Sequence, residues 1–459
     1  MNFAFYDLET TGTSPAFDQP LQFAAILTDG EFREIERVNL RCRIAPHIIP
    51  SPWALAVTGV RPAQLTDPAL LTLFEFTQAI GTLIERWSPA IWTGFNSIRF
   101  DEEMLRQAFY QNLQPDIFAT QFRGNTRFDI LTALYAAWYR QPDMFEWPVD
   151  ADGRVRFKLD RIAPQNGFAA HNAHDALGDV EATIHIARQI AQRAPALWSE
   201  LLANRDKAHV QTNLETFKPM ALVERFGGGL PRATVGCFCG VSASNPNQAA
   251  FLDQDAADPA DLLTADDAAV FAAVDATPKL IRAFSINKSP ALLPVAAPSA
   301  EQVRRADMIA HAPEFRTRVG QALAARFPED PASPTPPVEK QIYGGFYSHV
   351  DKALLKEFQH AAWPRRQEIV ASISDPRLRQ LGRRLVAFHA PELLSADERA
   401  HYQDWLRGRW SAPDVAETEW MTLTKAHAAL DELRANGAGQ PHELSAIATF
   451  VDERGALGL

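Results

Sequence analysis

The run Phe-Ala-Phe-Tyr-Asp-Leu-Glu-Thr-Thr-Gly occupies residues 3–12. Its apolar first half predicts a buried β-strand. Because side chains two positions apart in a strand project from one face, the carboxylates of Asp7 and Glu9 point to one spot. Hard divalent cations such as Mg²⁺ favour oxygen ligands and offset the repulsion between neighbouring carboxylates. The pair therefore predicts either part of a metal site or a solvated strand end before the Thr11-Gly12 turn.

A second acidic position, Asp101, follows the predicted strand Ala90 to Thr93 and opens a predicted helix. Taken alone, an aspartate at the beginning of a helix is more often an N-cap than a metal ligand. Its place after a strand nevertheless makes it a candidate third carboxylate.

A third segment, His171 to Val180, contains His174 just before a predicted helix and Asp179 on its early turns. An imidazole and a carboxylate in this arrangement can flank one reaction centre. The structural alternatives are a histidine without a chemical role and a cap at Asp175.

The first 193 residues alternate short apolar runs with helical patterns, which predicts an α/β domain with a sheet covered by helices. Helical periodicity is clearest over residues 177–191, and another apolar helix is predicted over 128–139. Besides the first strand, the predicted strands are Leu21 to Thr28, Val38 to Ile44 and Ala90 to Thr93.

The residue composition and the hydrophobic pattern of the sequence change after the first domain. Short β-prone runs such as Ala233 to Val241, followed by an acidic, Ala-rich stretch over 253–275, predict a small β-rich second domain. The Pro-rich segment 327–337 cannot sustain a helix or a central strand and predicts a semi-rigid linker. Residues 341–459 are almost continuously helical in pattern.

Length, charge and cysteine content bound the class of protein. The chain has 459 residues and a formal net charge of −11. The charge argues against a protein coated in basic surface for bulk phosphate neutralisation. Three cysteines lack a paired framework, so we expect reduced thiols. Since no basic leader segment and no run of about 18 apolar residues occurs, we expect a cytoplasmic protein with no membrane partner.

Together, Asp-x-Glu, Phe-Asp and His-x-x-x-x-Asp in this order resemble the DEDDh exonuclease superfamily, which has a ribonuclease-H-like sheet. A closer resemblance, over most of the chain, is to the bacterial exodeoxyribonuclease I family. It rests on the blocks at 11–26, 94–103, 172–180, 286–290 and 341–348. This resemblance implies a DEDDh exonuclease domain at 1–193, an SH3-like middle domain at 194–335 and a helical C-terminal domain at 341–459.

The resemblance also implies a reaction. Two Mg²⁺ ions, for which Mn²⁺ can substitute, would clamp the scissile phosphate. Asp7 is expected to be shared between the ions, Glu9 and Asp179 to complete the site of the attacking water, and Asp101 to support the second ion. His174 is the expected general base.

The implied activity is 3′-to-5′ removal of 5′-mononucleotides from single-stranded DNA, in DNA repair and recombination. Single-stranded DNA-binding protein is the implied protein partner, reached through a basic surface.

Substrate must be held by phosphate contacts and base stacking, which work without reading sequence. The predicted substrate-binding residues are Glu9, Arg106, Phe157, Lys158 and Lys288. Six arginines within 361–384 could add one wall of a basic channel. For the aromatic and basic residues, a core position or an ordinary surface charge is an equally good explanation.

Three other functions stay open from the residues alone. A related DEDDh exoribonuclease or a proofreading exonuclease would use the same five residues. A non-catalytic nucleic-acid-binding protein would retain the site without using it, although its intact residues count against this. A ribonuclease-H-like endonuclease would cut a circular or 3′-blocked strand.

Overall fold

The structure is a computed structural model that describes residues 1–168, 175–256, 258–327, 334–412 and 418–456. An α/β region comes first, an antiparallel sheet with helices follows, and helices form the C-terminal part. The predicted order of the three structural types is therefore observed.

The first region contains a five-stranded sheet in the order β3-β2-β1-β4-β5. The strand β1 pairs antiparallel with β2 and parallel with β4, and β4 pairs parallel with β5. The carboxyl ends of β1, β4 and β5 therefore meet at one edge. The strands are β1 (Phe3–Thr10), β2 (Pro20–Thr28), β3 (Glu34–Arg41), β4 (Ile91–Gly94) and β5 (Thr126–Asp129).

Helices cover both faces of this sheet. Phe5 of β1 lies in a core with α5 to α8, and Tyr6 points to the opposite face, where it packs with α3 and α4. Strand alternation thus gives β1 two apolar faces, as its burial requires. The helices are α1 (Pro52–Thr58), α2 (Pro62–Leu65), α3 (Leu73–Trp87), α4 (Asp101–Gln111), α5 (Ile130–Arg140), α6 (Leu159–Gln165), α7 (Ala176–Arg193), α8 (Pro195–Ala203) and α9 (Lys207–Glu215).

The middle region is built on a second five-stranded sheet, antiparallel throughout, in the order β10-β6-β7-β8-β9. Cys237 and Cys239 of β7 are buried free thiols, as predicted. The strands are β6 (Met220–Glu224), β7 (Arg232–Val241), β8 (Gln248–Asp253), β9 (Ile281–Ser285) and β10 (Leu292–Pro294). The helices are α10 (Pro259–Leu263), α11 (Asp267–Asp275), α12 (Ala300–Ala310) and α13 (Pro313–Ala325). An SH3-like identity for this region stays a prediction, as do the domain boundaries.

The C-terminal helices pack directly on the first region. Phe358 of α14 shares a core with Phe74 of α3, and Leu430 of α18 shares another with Leu55 of α1. Polar contacts reinforce these cores: Gln359 accepts a hydrogen bond from Gln114 (2.8 Å). The helices are α14 (His349–His360), α15 (Trp363–Ser372), α16 (Pro376–His389), α17 (Ala396–Trp410), α18 (Leu423–Ala435) and α19 (Pro441–Ala456).

Most predicted elements are observed, with two local differences. The sequence prediction began a helix at residue 128, whereas Thr126–Asp129 forms the edge strand β5 and the helix begins at Ile130. The third strand was predicted over Val38 to Ile44, whereas β3 begins earlier, with the exposed residues Glu34 and Ile35, and ends at Arg41. Of the predicted linker, residues 328–333 lie outside the described part of the chain.

Among the described residues, no helix is both long and apolar enough to cross a membrane.

Gly94, at the carboxyl end of β4, gives a test of the close strand packing beside Asp7. A Cβ atom there would lie 2.5 Å from the main-chain oxygen of Tyr6 and 2.9 Å from Cβ of Ser97. Because neither atom is the end of a flexible side chain, we expect Gly94→Ala to cost about 1–3 kcal/mol of stability. Thermal unfolding measures the loss. Gly228→Ala is the matched control, since nothing lies within 4 Å of its Cβ; equal midpoints for the two variants would contradict the prediction.

Candidate active site

Three predicted carboxylates meet at the carboxyl end of β1. Oxygen atoms of Asp7, Glu9 and Asp179 all lie within 4.8 Å of one another. Strand alternation aligns the first two, and packing of α7 on β1 brings the third from a distant part of the sequence. Three convergent oxygen donors form a set suited to a hard divalent cation.

Asp101 lies beside this cluster, at the beginning of α4. Its side chain is 3% exposed, and its Oδ1 accepts a hydrogen bond from the main-chain N–H of Leu8 (3.2 Å). Leu8 separates the two carboxylates of β1, so this bond ties α4 to the strand that carries them. The negative charge of Asp101 also acts on Asp7. The structure thus brings together all four predicted carboxylates.

The buried carboxylates of this site are costly to ionise without a positive charge nearby. Burial, reinforced by the charges of Asp101 and Asp179, raises the pKa of Asp7 well above its usual range. Burial and the charge of Asp179 likewise raise the pKa of Glu9 to about 9. Burial raises the pKa of Asp101 too, although its main-chain hydrogen bonds oppose the shift. A divalent cation would stabilise the ionised forms of these side chains.

His174 lies outside the described residues, but the residue that follows it is firmly held. Asp175 accepts hydrogen bonds from Arg41 (2.9 Å) and from Gln22 (3.0 Å). Gln22 is the register partner of Glu9 across β1 and β2. The beginning of α7 is therefore fixed to the sheet next to the carboxylate cluster.

Asp129 is a positioning residue that the sequence interpretation missed. It ends β5, caps α5 and accepts main-chain N–H bonds from Asn96 (3.1 Å), Ile98 (3.1 Å) and Leu131 (2.9 Å). These bonds fix the turn between β4 and Asp101. The local signal was weak, because Phe128 is the only apolar residue of β5 and the sequence prediction assigned it to a helix.

The predicted substrate-binding residues have different environments. Arg106 is 6% exposed and pairs with Glu102 and Glu103. Phe157 is 3% exposed and lies in the core that contains Phe5, where it packs against Tyr135. For these two side chains, the contacts favour the structural alternative. Their assignment to substrate stays a prediction.

Lys158 and Lys288 are better placed to meet a ligand. Lys158 is exposed and lines a crevice of about 530 Å³ that also contains Asp179. The side chain of Lys288 is 47% exposed and lines a second crevice of about 470 Å³, between the first region and the middle sheet. Four residues line both crevices, which makes them adjoining: Asn96, Leu131, Tyr135 and Arg225. Tyr135 and Arg225 were not singled out from the sequence, because nothing in their local pattern marks them.

Three of the six arginines of residues 361–384 have structural contacts. Arg366 and Arg377 are each 9% exposed, and Arg366 lies over the ring of Trp363 at 4.4 Å. Arg384 pairs with the buried carboxylate of Glu339 (2.9 Å). For these three, the contacts favour the structural explanation over a channel wall.

Two family models match the chain. One, described as "Exonuclease", matches residues 4–187, which contain the four carboxylates, and the other, described as "Exonuclease I C-terminal domain", matches residues 336–453. The exodeoxyribonuclease I of Escherichia coli (strain K12) is 28% identical over 430 residues, which are 89% of this chain and 89% of that protein. The chain belongs to the exodeoxyribonuclease I family.

Solved structures of this family have the same fold. E. coli exonuclease I in complex with a dT13 oligonucleotide matches with a TM-score of 0.81 at 26% identity, over 98% of each chain. A structure of SSB/exonuclease I in complex with an inhibitor matches with a TM-score of 0.81 at 27% identity, over 99% of each chain. The sequence-based predictions of the family, the fold class and an exonuclease are confirmed. Membership in the exodeoxyribonuclease I family also implies dependence on a divalent metal ion, and the carboxylate cluster fits one.

Asp7→Asn tests the electrostatic description of the site without measuring catalysis. When folding raises the pKa of an aspartate, the folded state keeps the proton to higher pH than the unfolded state does. The protein therefore loses stability as pH rises above the unfolded pKa of about 3.9. In EDTA at neutral pH, we therefore expect the variant to melt above the wild type. We also expect it to lose most of the stabilisation that Mg²⁺ or Mn²⁺ gives the wild type.

Thermal unfolding with and without metal measures both effects. Asp152→Asn, on an exposed turn, is the control and should follow the wild type. A wild-type midpoint that divalent ions leave unchanged would count against a metal site at Asp7.

Proposed function

We propose that this member of the exodeoxyribonuclease I family hydrolyses single-stranded DNA from the 3′ end and releases 5′-mononucleotides. The observation that carries the proposal is the convergence of Asp7, Glu9 and Asp179 within 4.8 Å, beside the buried Asp101. Mg²⁺ is the proposed ion, at two positions, with Mn²⁺ as a substitute. An all-oxygen donor set suits both ions.

Each side chain of the site has a proposed role. Asp7 would be shared between the two ions, and Glu9 and Asp179 would complete the site of the attacking water. Asp101 would support the second ion, and its hydrogen bond from Leu8 ties α4 to β1. Divalent ions bound in such a site lower the pKa of the attacking water and stabilise the departing 3′-oxygen. His174 is the proposed base that takes the proton from that water.

The adjoining crevices are the proposed path of the strand. The crevice with Asp179 receives the 3′ end, and the crevice with Lys288 receives the nucleotides that precede it. Lys158, Arg225 and Lys288 offer positive charge to the phosphates, and Tyr135 lies where the crevices join. Such contacts hold a strand without reading its sequence. The net charge of −11 does not exclude this arrangement, since five basic side chains line the two crevices: Arg99, Arg156, Lys158, Arg225 and Lys288.

DNA, rather than RNA, is the proposed substrate because the similarity to exodeoxyribonuclease I covers about nine-tenths of both chains. The proposed role, in keeping with this substrate, is DNA repair and recombination. A proofreading subunit or an exoribonuclease would use the same carboxylates. A comparison of hydrolysis rates on matched DNA and RNA strands distinguishes the two substrates.

The decisive experiment follows single-stranded DNA labelled at its 5′ end, with Mg²⁺ or with EDTA. We expect progressive shortening of the labelled strand and release of mononucleotides with Mg²⁺, and neither with EDTA. Asp179→Ala should abolish hydrolysis but keep strand binding, since this side chain serves the metal. Asp152→Asn is the control. Cutting of a circular strand, or full turnover by a folded Asp179→Ala variant, would refute the proposal.

His174→Ala tests the proposed base. We expect hydrolysis to slow by about 10² to 10⁴ and the acidic limb of the pH–rate profile to flatten, because a general base must be unprotonated to act. Metal-induced thermal stabilisation should persist. A variant that keeps the wild-type pH profile would assign His174 a structural role.

Single-stranded DNA-binding protein is the proposed protein partner. The support is the structure of SSB/exonuclease I that this chain resembles over its whole length. We expect purified single-stranded DNA-binding protein to form a complex with the chain that weakens as salt rises, as contacts between charged surfaces do. Sedimentation at several salt concentrations measures it. Absence of a complex at low salt would exclude this partner.

A further inference from the structure

A buried ionic network lies directly behind Asp101. The carboxylate of Glu102, 2% exposed, accepts hydrogen bonds from the guanidinium groups of Arg106 and Arg127. A third donor is Nε2 of Gln121 (3.2 Å). Both arginines are nearly as buried as Glu102, at 6% exposed each. A buried carboxylate with three donors is tightly fixed in orientation.

The network extends into the middle region through Arg127. This arginine lies on β5, and its guanidinium also donates to the main-chain carbonyl of Asn287, in the loop between β9 and β10. The neighbouring residue Lys288 has its ammonium 4.0 Å from Glu103. One guanidinium therefore joins the carboxylate next to Asp101 to the middle sheet.

The network extends into the C-terminal region through Arg106. Its Nη1 lies 2.9 Å from Oε1 of Glu103 and 3.3 Å from the hydroxyl of Tyr343. That hydroxyl donates to the other oxygen of Glu103. Tyr343 precedes α14, so the two guanidinium groups on Glu102 reach one into each of the other two regions.

The position of Asp101 depends on the same helical turn. Asp101 is the first residue of α4 and Glu102 the second. The side chain of Asp101 bonds to Leu8, between Asp7 and Glu9. A rotation or shift of this turn would therefore move Asp101 against the other carboxylates. Groups that orient metal ligands through hydrogen bonds typically contribute about 10- to 100-fold to metal affinity or activity.

We propose that Glu102 is a positioning residue that couples docking of the middle and C-terminal regions to the placement of Asp101. A buried ion pair adds little net stability compared with an apolar pair, whereas its hydrogen bonds fix direction. Here the fixed direction is that of the first turn of α4. The active site is then complete only when Asn287 and Tyr343 are in place. This inference rests on the proposed function.

Glu102→Gln keeps the shape of the side chain and removes its charge. With single-stranded DNA as substrate, we expect kcat to fall about 10- to 100-fold, with KM for the strand little changed. Without DNA, we expect the Mg²⁺ requirement, measured as the concentration that gives half of the metal-induced rise in melting midpoint, to increase. Arg127→Gln should have the same effects, and Arg127→Lys should restore part of the loss by retaining the charge. Glu85→Gln, which breaks the exposed pair with Arg123, is the matched control and should behave as the wild type.

Tyr343→Phe provides a milder test, because its partly exposed side chain loses only a hydroxyl. We expect a smaller shift of the Mg²⁺ requirement in the same direction. If Glu102→Gln does not fold, this variant decides. The inference would be overturned if folded Glu102→Gln had the same Mg²⁺ requirement as Glu85→Gln. If Glu102→Gln does not fold, the same result for Tyr343→Phe would overturn it. A wild type that releases no nucleotide would refute the proposed function instead, so the two failures are distinguishable.

Discussion

Repulsion among four carboxylates at one end of β1 is the constraint that the first region must satisfy. Asp7 and Glu9 are neighbours by strand geometry, and Asp101 and Asp179 arrive on the first turns of two helices. Polar contacts outside the cluster fix the position of both helices. Asp129 accepts hydrogen bonds from the turn before α4, and Arg41 binds Asp175 at the beginning of α7. The fold thus stabilises an arrangement that is unfavourable without a cation.

The three regions are joined by two kinds of contact. Apolar side chains of α14 to α16 and of α18 and α19 complete cores that begin in the first region. The Glu102 network adds direction near the active site, with one arginine reaching each neighbouring region. Apolar burial supplies most of the free energy of docking, because it scales with area. The ionic contacts define the register of that docking.

The sequence predicted the parts of the site that depend on local geometry. Because side chains alternate along a strand, residues 3–12 predict that Asp7 and Glu9 lie on one face. The resemblance to a known family identified Asp101 and Asp179. The sequence left the burial of Arg106 and Phe157 open, because part of their surroundings comes from distant residues, such as Tyr343 and Arg225. The edge strand β5 was missed for a related reason. It is four residues long, and its one apolar side chain, Phe128, is separated from the apolar run of α5 only by Asp129.

The core that Trp410 shares with Leu21 and Ile44 has a consequence for synthesis on the ribosome. Trp410 donates a hydrogen bond to the carbonyl of Pro46, 364 positions earlier, and packs in one core with Leu21 and Ile44. Domains usually fold in order as they emerge, but this core lacks part of its wall until α17 to α19 have been translated. A nascent chain without these helices therefore exposes apolar surface around Leu21 and Ile44. Packing of the first region at this core is completed only after α17 to α19 have left the ribosome.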